Sequence, residues 1–304
     1  MSAGDREGGL QPMFVSDDSR GVLRTPWLAR AWRSAATGLC FAGFWVLALA
    51  AAPSLLAVVV AVTRDRERRA RRVRGIASLG FRLLMRAIEV LQLGRFEFDG
   101  TGWESAVRGR LVVANHPCLL DAIMLLARFP EANCVMKSRL RRNPLLAPFI
   151  LAGGYLGNAA DPMTVIEQCR RARDRGEPVL VFPEGTRTRP GGRLRFRRGA
   201  AQLALRAGME IVPATITCDP PVLTHGAPWF RMPPCRVRLV IRFHAPREPG
   251  AFAALAGLEP PRAARRLTRG LEDYFARQLK TSDPSDHAHY RPALPAVEIE
   301  HALR

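Results

Sequence analysis

Residues 111–124 read LVVANHPCLLDAIM. The short apolar run LVVAN has the length and β-branched content of a buried strand. Pro117 then suits the first turn of a helix, where its fixed φ is already helical and its missing N–H would have had no partner. Strand, turn and helix in that order are the unit of an α/β sheet. His116 therefore stands just past the C-terminal end of a strand, the edge at which open α/β sheets bind ligands. Asp121, five residues on, falls in the first turns of the helix. Its carboxylate can fold back onto the imidazole, hold one tautomer and leave the other nitrogen free to take a proton. A purely structural His–Asp hydrogen bond satisfies the same spacing, so the pair alone does not decide between the two.

Working outward, strand-like and helix-like segments alternate from about residue 76. RFEFDG (95–100), NCVMK (133–137), PVLVF (178–182), IVPATIT (211–217) and RVRLVIRF (236–243) read as further strands. Helical periodicity occupies 76–93, 119–128, 144–152, 162–175, 198–207 and about 261–279. The expected fold is α/β, a central mixed sheet flanked by helices. No internal repeat is present.

A second loop opens past another strand. VFPEGTRTRPGG (181–192) continues into RLRFRRG, ending at Gly199. Pro183 and Gly185 shape a tight turn, Gly185 and Thr186 offer backbone N–H groups, and Arg187 brings a planar fork that matches phosphate oxygens. Two such motifs at matching strand ends turn a lone His–Asp pair into a base facing an anion cradle.

Composition bounds the rest. With 46 Lys+Arg against 27 Asp+Glu, the chain of 304 residues carries a formal charge of +19 and will seek polyanions. Lysine occurs only at 137 and 280, so the charge is nearly all arginine. The six cysteines (40, 118, 134, 169, 218 and 235) are scattered without a CxxC pair or a short Cys/His set, which argues for reduced thiols in a cytosolic setting and against a metal site. Cys118 so close to His116 raises the thought of a thiol nucleophile, but its apolar setting reads as packing. His225 and His244 lack a nearby carboxylate motif and read as structural.

The chain begins with a polar stretch, 1–34, expected to be largely flexible. An uncharged segment follows, AATGLCFAGFWVLALAAAPSLLAVVVAVT (35–63). As a helix it would run about 43 Å, more than the roughly 30 Å of a bilayer core. A tilted span, a re-entrant hairpin bent at Pro53 and a cleaved signal peptide all compete, the last weakened by a long acidic n-region. The basic segment RDRERRARRVRG (64–75) comes next and favours the cytoplasmic face and anionic head groups. Domain boundaries are thus expected at 76–281 for the main domain and 282–304 for a loose tail, whose His287 and His289 read as solvated.

Asn115-His116 with Asp121, Phe182-Pro183-Glu184-Gly185-Thr186-Arg187, Phe196 with Gly199, and Ile211-Val212-Pro213 occur in an order that resembles the PlsC-like glycerolipid acyltransferase superfamily. The resemblance covers roughly residues 80–245. It implies the glycerolipid acyltransferase fold and acyl transfer from acyl-CoA or acyl carrier protein to a hydroxyl of a lysophosphatidic-acid-type acceptor. His116 would be the general base, Asp121 its orienter, and Glu184, Gly185, Thr186 and Arg187 the acceptor's phosphate site. No metal or other cofactor is implied. Membrane lipids and the acyl donor are the expected partners, without nucleic acid, at a bacterial cytoplasmic membrane with the catalytic domain on the cytoplasmic side. One departure stands out: where the family usually ends a block with arginine, GGYLGNAADP places Asn158. Lys137, Arg141 and Arg142 are the candidate substitutes. The wording MKSRLRRNPLL, GGYLGN and TCDPPVLTHGAPWF looks more like the acyltransferases of aryl-polyene and xanthomonadin pathways, which would make an aryl-polyene acyl chain the cargo. A non-catalytic module that captures anionic lipid is the alternative of another class.

Overall fold

The computed structural model describes residues 26–100, 102–143, 146–157, 161–188 and 192–281. The expectations for residues 1–25, Asn158 and the 282–304 tail lie outside the described residues.

Two long helices come first. α1 (Pro26–Val62) runs unbroken for 37 residues through Pro53. The hairpin bent at Pro53 is therefore corrected: a proline removes one backbone hydrogen bond and the apolar residues on both sides carry the helix across it. Helix also reaches back over 26–34, part of the stretch expected to be flexible, because Pro26 fits a helix start and Arg33 and Ser34 are tied to the domain. Arg33 donates to the carbonyls of Gln92 and Pro234, and Ser34 to that of Phe230. α2 (Arg66–Val90) fuses the basic segment with the periodic helix after it. Asp65 caps it, accepting the Arg68 N–H at 2.6 Å, and an aspartate at this position satisfies one of the otherwise orphan N–H groups. α1 and α2 run antiparallel, joined by a short turn, with Phe44 stacked on Phe81.

The domain behind them is a seven-stranded sheet of order β1-β7-β6-β2-β5-β3-β4. Its strands are β1 (Gly94–Asp99), β2 (Leu111–Ala114), β3 (Asn133–Met136), β4 (Leu156–Gly157), β5 (Val179–Val181), β6 (Ile211–Asp219) and β7 (Val237–Phe243). β6, β2, β5, β3 and β4 are mutually parallel, while β7 pairs antiparallel with β6 and parallel with β1. The sheet is mixed, as expected, and five strand C-termini share one edge.

β2 is buried on both faces, as parallel strands covered by helices must be. Val112 and Ala114 pack with Met85 of α2 and with Met124 and Leu125 of α4 (Leu120–Arg128). Leu111 and Val113 face the other layer, where α6 (Pro162–Asp174), α7 (Gly199–Ala207) and α8 (Pro260–Thr281) contribute Ile166, Ala204 and Leu271. Each large apolar side chain fully removed from water there stabilises the fold by about 1.5–3 kcal/mol. Four pieces have no counterpart in the sequence reading of elements: the single-turn α3 (Trp103–Ala106), 3₁₀ turns at Ser138–Arg142 and Pro249–Ala251, and the two-residue β4. α5 (Ala147–Ala152) falls within its expected 144–152.

Candidate active site

Register sets the site. β2 and β5 are neighbours with Val113 opposite Val181. Three residues beyond each, His116 and Glu184 therefore arrive side by side at the same sheet edge. Glu184 accepts the His116 backbone N–H at 2.8 Å, and Thr188 N–H donates back to the His116 carbonyl at 2.8 Å. The other Glu184 oxygen accepts from the Thr188 hydroxyl. One buried carboxylate thus ties the two loops together. On the opposite side Asn115 bridges to β6, donating to the Ile216 carbonyl and accepting its N–H.

His116 Nδ1 lies 3.1 Å from Asp121 Oδ2. That oxygen also accepts the Cys118 N–H at 2.8 Å. Asp121, in the first turn of α4, is wholly buried, and its second oxygen has no hydrogen-bond partner. Burial pushes the Asp121 carboxyl up to about 6, against the pull of the His116 hydrogen bond and charge. Phe182 packs on the imidazole with ring centroids 4.4 Å apart. The ring is held by a carboxylate at one nitrogen and an aromatic face beside it, while its side chain keeps 18% exposure. Such a ring can accept a proton at its free nitrogen from a group entering the site.

The anion cradle differs from its expected form. Glu184 is a structural bridge whose two oxygens accept from His116 of one loop and Thr188 of the other, and burial raises its carboxyl above the ordinary range. The Gly185 N–H is spent on the Phe182 carbonyl at 3.1 Å. Gly185 is needed instead for its positive φ of 66° and for space, since a Cβ there would sit 2.9 Å from Arg197 Nε. Thr186 is exposed. Arg187 donates one nitrogen to the Leu223 carbonyl at 2.6 Å, which anchors the guanidinium and leaves donors over.

Lys137, one of the three expected substitutes, follows β3 directly. Burial, then the charges of Arg139, Arg197 and Arg187, pull its ammonium down. The three arginines are near enough to bear on Lys137, and a group of cations of this kind suits an anion. Arg141 lies across Gly157, its Nη1 3.3 Å from the position of an added Cβ. Arg142 is exposed. Arg197 and Phe182 went unassigned in the sequence reading, although both fall inside the quoted motifs: nothing in their spacing says which way a side chain turns.

Cys118 is completely buried. Its hydrogen bond to Cys218, then burial and the adjacent Asp121, push the thiol well up. It is a packed thiol, protonated at neutral pH. His225 is exposed, and His244 pairs with the Thr215 hydroxyl. Among the described residues no cluster of three or more His, Cys, Asp or Glu side chains suits a metal ion.

Fold and site together define an α/β protein with a His–Asp pair beside a cationic cradle. The Acyltransferase family model matches residues 101–217, which hold both loops. The 1-acyl-sn-glycerol-3-phosphate acyltransferase alpha of Ovis aries is 30% identical over 213 residues, 66% of this chain and 69% of that protein. The putative 1-acyl-sn-glycerol-3-phosphate acyltransferase acl-2 of Caenorhabditis elegans is 31% identical over 116 residues, 35% of this chain; the chain spans only 40% of that relative's length. Among solved structures, the 1-acyl-sn-glycerophosphate (LPA) acyltransferase PlsC from Thermotoga maritima superposes with a TM-score of 0.61, covering 84% of this chain and 99% of the other at 20% identity. The chain belongs to the PlsC-like glycerolipid acyltransferase superfamily.

Proposed function

We propose that the protein is a membrane-associated O-acyltransferase that moves an acyl group from acyl-CoA or acyl carrier protein to the hydroxyl of a lysophosphatidic-acid-type acceptor. The observation that carries the reading is the His116–Asp121 contact of 3.1 Å beside the cluster of Lys137, Arg139, Arg187 and Arg197. The cations hold the acceptor's phosphate and set its free hydroxyl against the imidazole. As the hydroxyl oxygen attacks the thioester carbonyl, its proton passes to His116, and Asp121 stabilises the imidazolium that forms. Collapse of the tetrahedral intermediate breaks the C–S bond, and the leaving thiolate takes the proton back. No acyl-enzyme is required, in keeping with a protonated, buried Cys118.

Membrane association in this proposal rests on α1. Its apolar residues Leu47, Leu55, Val58 and Val62 are 46–65% exposed. Yet both ends of the helix stay on the domain: Arg33 and Ser34 bond to it at one end, and at the other Thr63 accepts from Arg72 of α2. A helix held at both ends lies along a bilayer face with its domain on one side, so α1 rests in the interface with the basic turn of 64–75 against cytoplasmic head groups.

The test is to give purified protein lysophosphatidic acid with labelled acyl-CoA or acyl carrier protein and to identify the lipid product. His116→Ala is expected to lower turnover by about 10²–10⁴-fold, the usual contribution of a general base, with vesicle binding unchanged. Equal turnover by that variant would remove His116 as the base, whereas vesicle binding by the wild type without acyl transfer to any acceptor would leave the lipid-capturing module as the better reading. No product from lysophosphatidic acid with either donor would exclude that acceptor and favour another, the aryl-polyene lipid among them.

A further inference from the structure

A second cationic site lies at the opposite end of the strands from His116. Asn133 opens β3 and Glu177 precedes β5, whereas Lys137 and Glu184 follow those same two strands. Between these strand starts, the first turns of α2 and the ends of α5 and α6 is a cavity of about 340 Å³, within the range of small-molecule sites. Five arginines and two glutamates line it.

The polar wall is built, not merely charged. Arg74 is 4% exposed, pairs with Glu177 at 3.1 Å and donates to Asn133 at 3.0 Å, while Asn133 donates to Glu177 at 2.9 Å. Arg175 joins Glu177 to Glu67. These contacts spend both glutamates. Among the described residues Arg66 and Arg69 line the same cavity without a carboxylate partner, and buried Arg74 keeps Nε without a hydrogen-bond acceptor. A buried N–H left unpaired is costly, and an oxygen-rich anion in the cavity would remove that cost.

The other wall is apolar. Val60, Ala70, Leu151 and Leu156 line it, and Val60 and Leu151 are also exposed as apolar surface. Arginines beside an apolar ramp at the foot of α1 match an amphiphile whose phosphate is followed by acyl chains. We infer that this cavity binds the phosphate head group of an anionic membrane lipid, at a site separate from the acceptor site beside His116.

The test needs no catalysis. Full-length protein in uncharged detergent micelles is titrated calorimetrically with dioctanoyl phosphatidic acid, dioctanoyl phosphatidylcholine and glycerol phosphate. Phosphatidic acid is expected to fill one site sensitive to Arg66→Ala/Arg69→Ala, weakened about 30-fold, and largely restored by Arg66→Lys/Arg69→Lys. Arg187→Ala should leave that site intact. If the acceptor site proposed beside His116 also takes phosphatidic acid, it appears as a second site with the opposite sensitivity, and its absence would count against that reading alone. An alanine double variant that titrates like the wild type overturns the inference. Glycerol phosphate binding as tightly as the lipid would make the ligand a free phosphate ester, and phosphatidylcholine binding as tightly would remove the anion requirement; either result overturns the lipid assignment.

Discussion

Glu184 and Asp121 are both buried carboxylates, and they do opposite jobs. Glu184 satisfies the backbone of the other loop, accepting from the His116 N–H and from Thr188. Glu184→Gln keeps an oxygen for that N–H and should retain most of the stability, whereas Glu184→Ala leaves a buried donor unpaired and should cost about 1–3 kcal/mol in chemical denaturation. A residue needed as an anion for substrate would show the reverse pattern, full stability with lost activity in the glutamine variant. Asp121 faces His116, and its ionisation near 6 ties both rate and stability to pH. Below that pH the carboxyl is neutral and no longer supports an imidazolium, so kcat/KM should fall as pH drops through about 6. Stability runs the other way. The folded pKa lies above the unfolded value, so the folded state holds the proton more tightly and loses stability as pH rises from about 4 to 6; Asp121→Asn should flatten the denaturation profile across that window. The sequence placed His116 and Asp121 together because a local five-residue spacing contains the information. The bridge made by Glu184 was not legible there, because the His116 N–H belongs to the other loop and the contact depends on how the two loops dock.

Elements with long periodic patterns were legible and short ones were not. α8 shows its stripe in Ala264, Leu267, Leu271 and Phe275, all buried, and β2 reads as a continuous apolar run. β4 is two residues long and the 3₁₀ turn five, too short for any period to repeat. Pro53 misled for a different reason: its ring disfavours a helix locally, but long flanking apolar runs outweigh one lost hydrogen bond. α1 also shows what periodicity omits, since a helix apolar on most sides gives no direction for its partners. Its inner side meets the domain through Ala36 and Cys40, and its outer side leaves Leu47 and Val58 about half exposed. Leu47→Asp/Val58→Asp removes no buried contact and should fold normally. Each apolar side chain transferred into lipid contributes about 1.5–3 kcal/mol, so partition into neutral phosphatidylcholine vesicles, read by co-sedimentation, should fall more than tenfold. Unchanged partition would show that α1 is not the lipid-contacting surface.

The charge of the molecule, +19, adds a force that acts over a longer range than these contacts. On the proposed reading, arginines at the foot of α1 and at the sheet edge beside His116 attract anionic lipid and anionic substrate alike, while the apolar face of α1 is indifferent to charge. The two attractions are separable by salt. Screening shortens from about 10 Å at 0.1 M to about 3 Å at 1 M, which weakens a head-group contribution of about 1 kcal/mol per arginine near the surface and leaves apolar burial in place. Wild-type protein should therefore prefer vesicles containing phosphatidic acid over neutral ones at low salt and lose most of that preference by 1 M, with substantial binding remaining. Leu47→Asp/Val58→Asp should keep the preference at low salt and release from both vesicle types at high salt. If salt releases the wild type as completely as the variant, attachment is electrostatic, and the apolar length of α1 serves another contact.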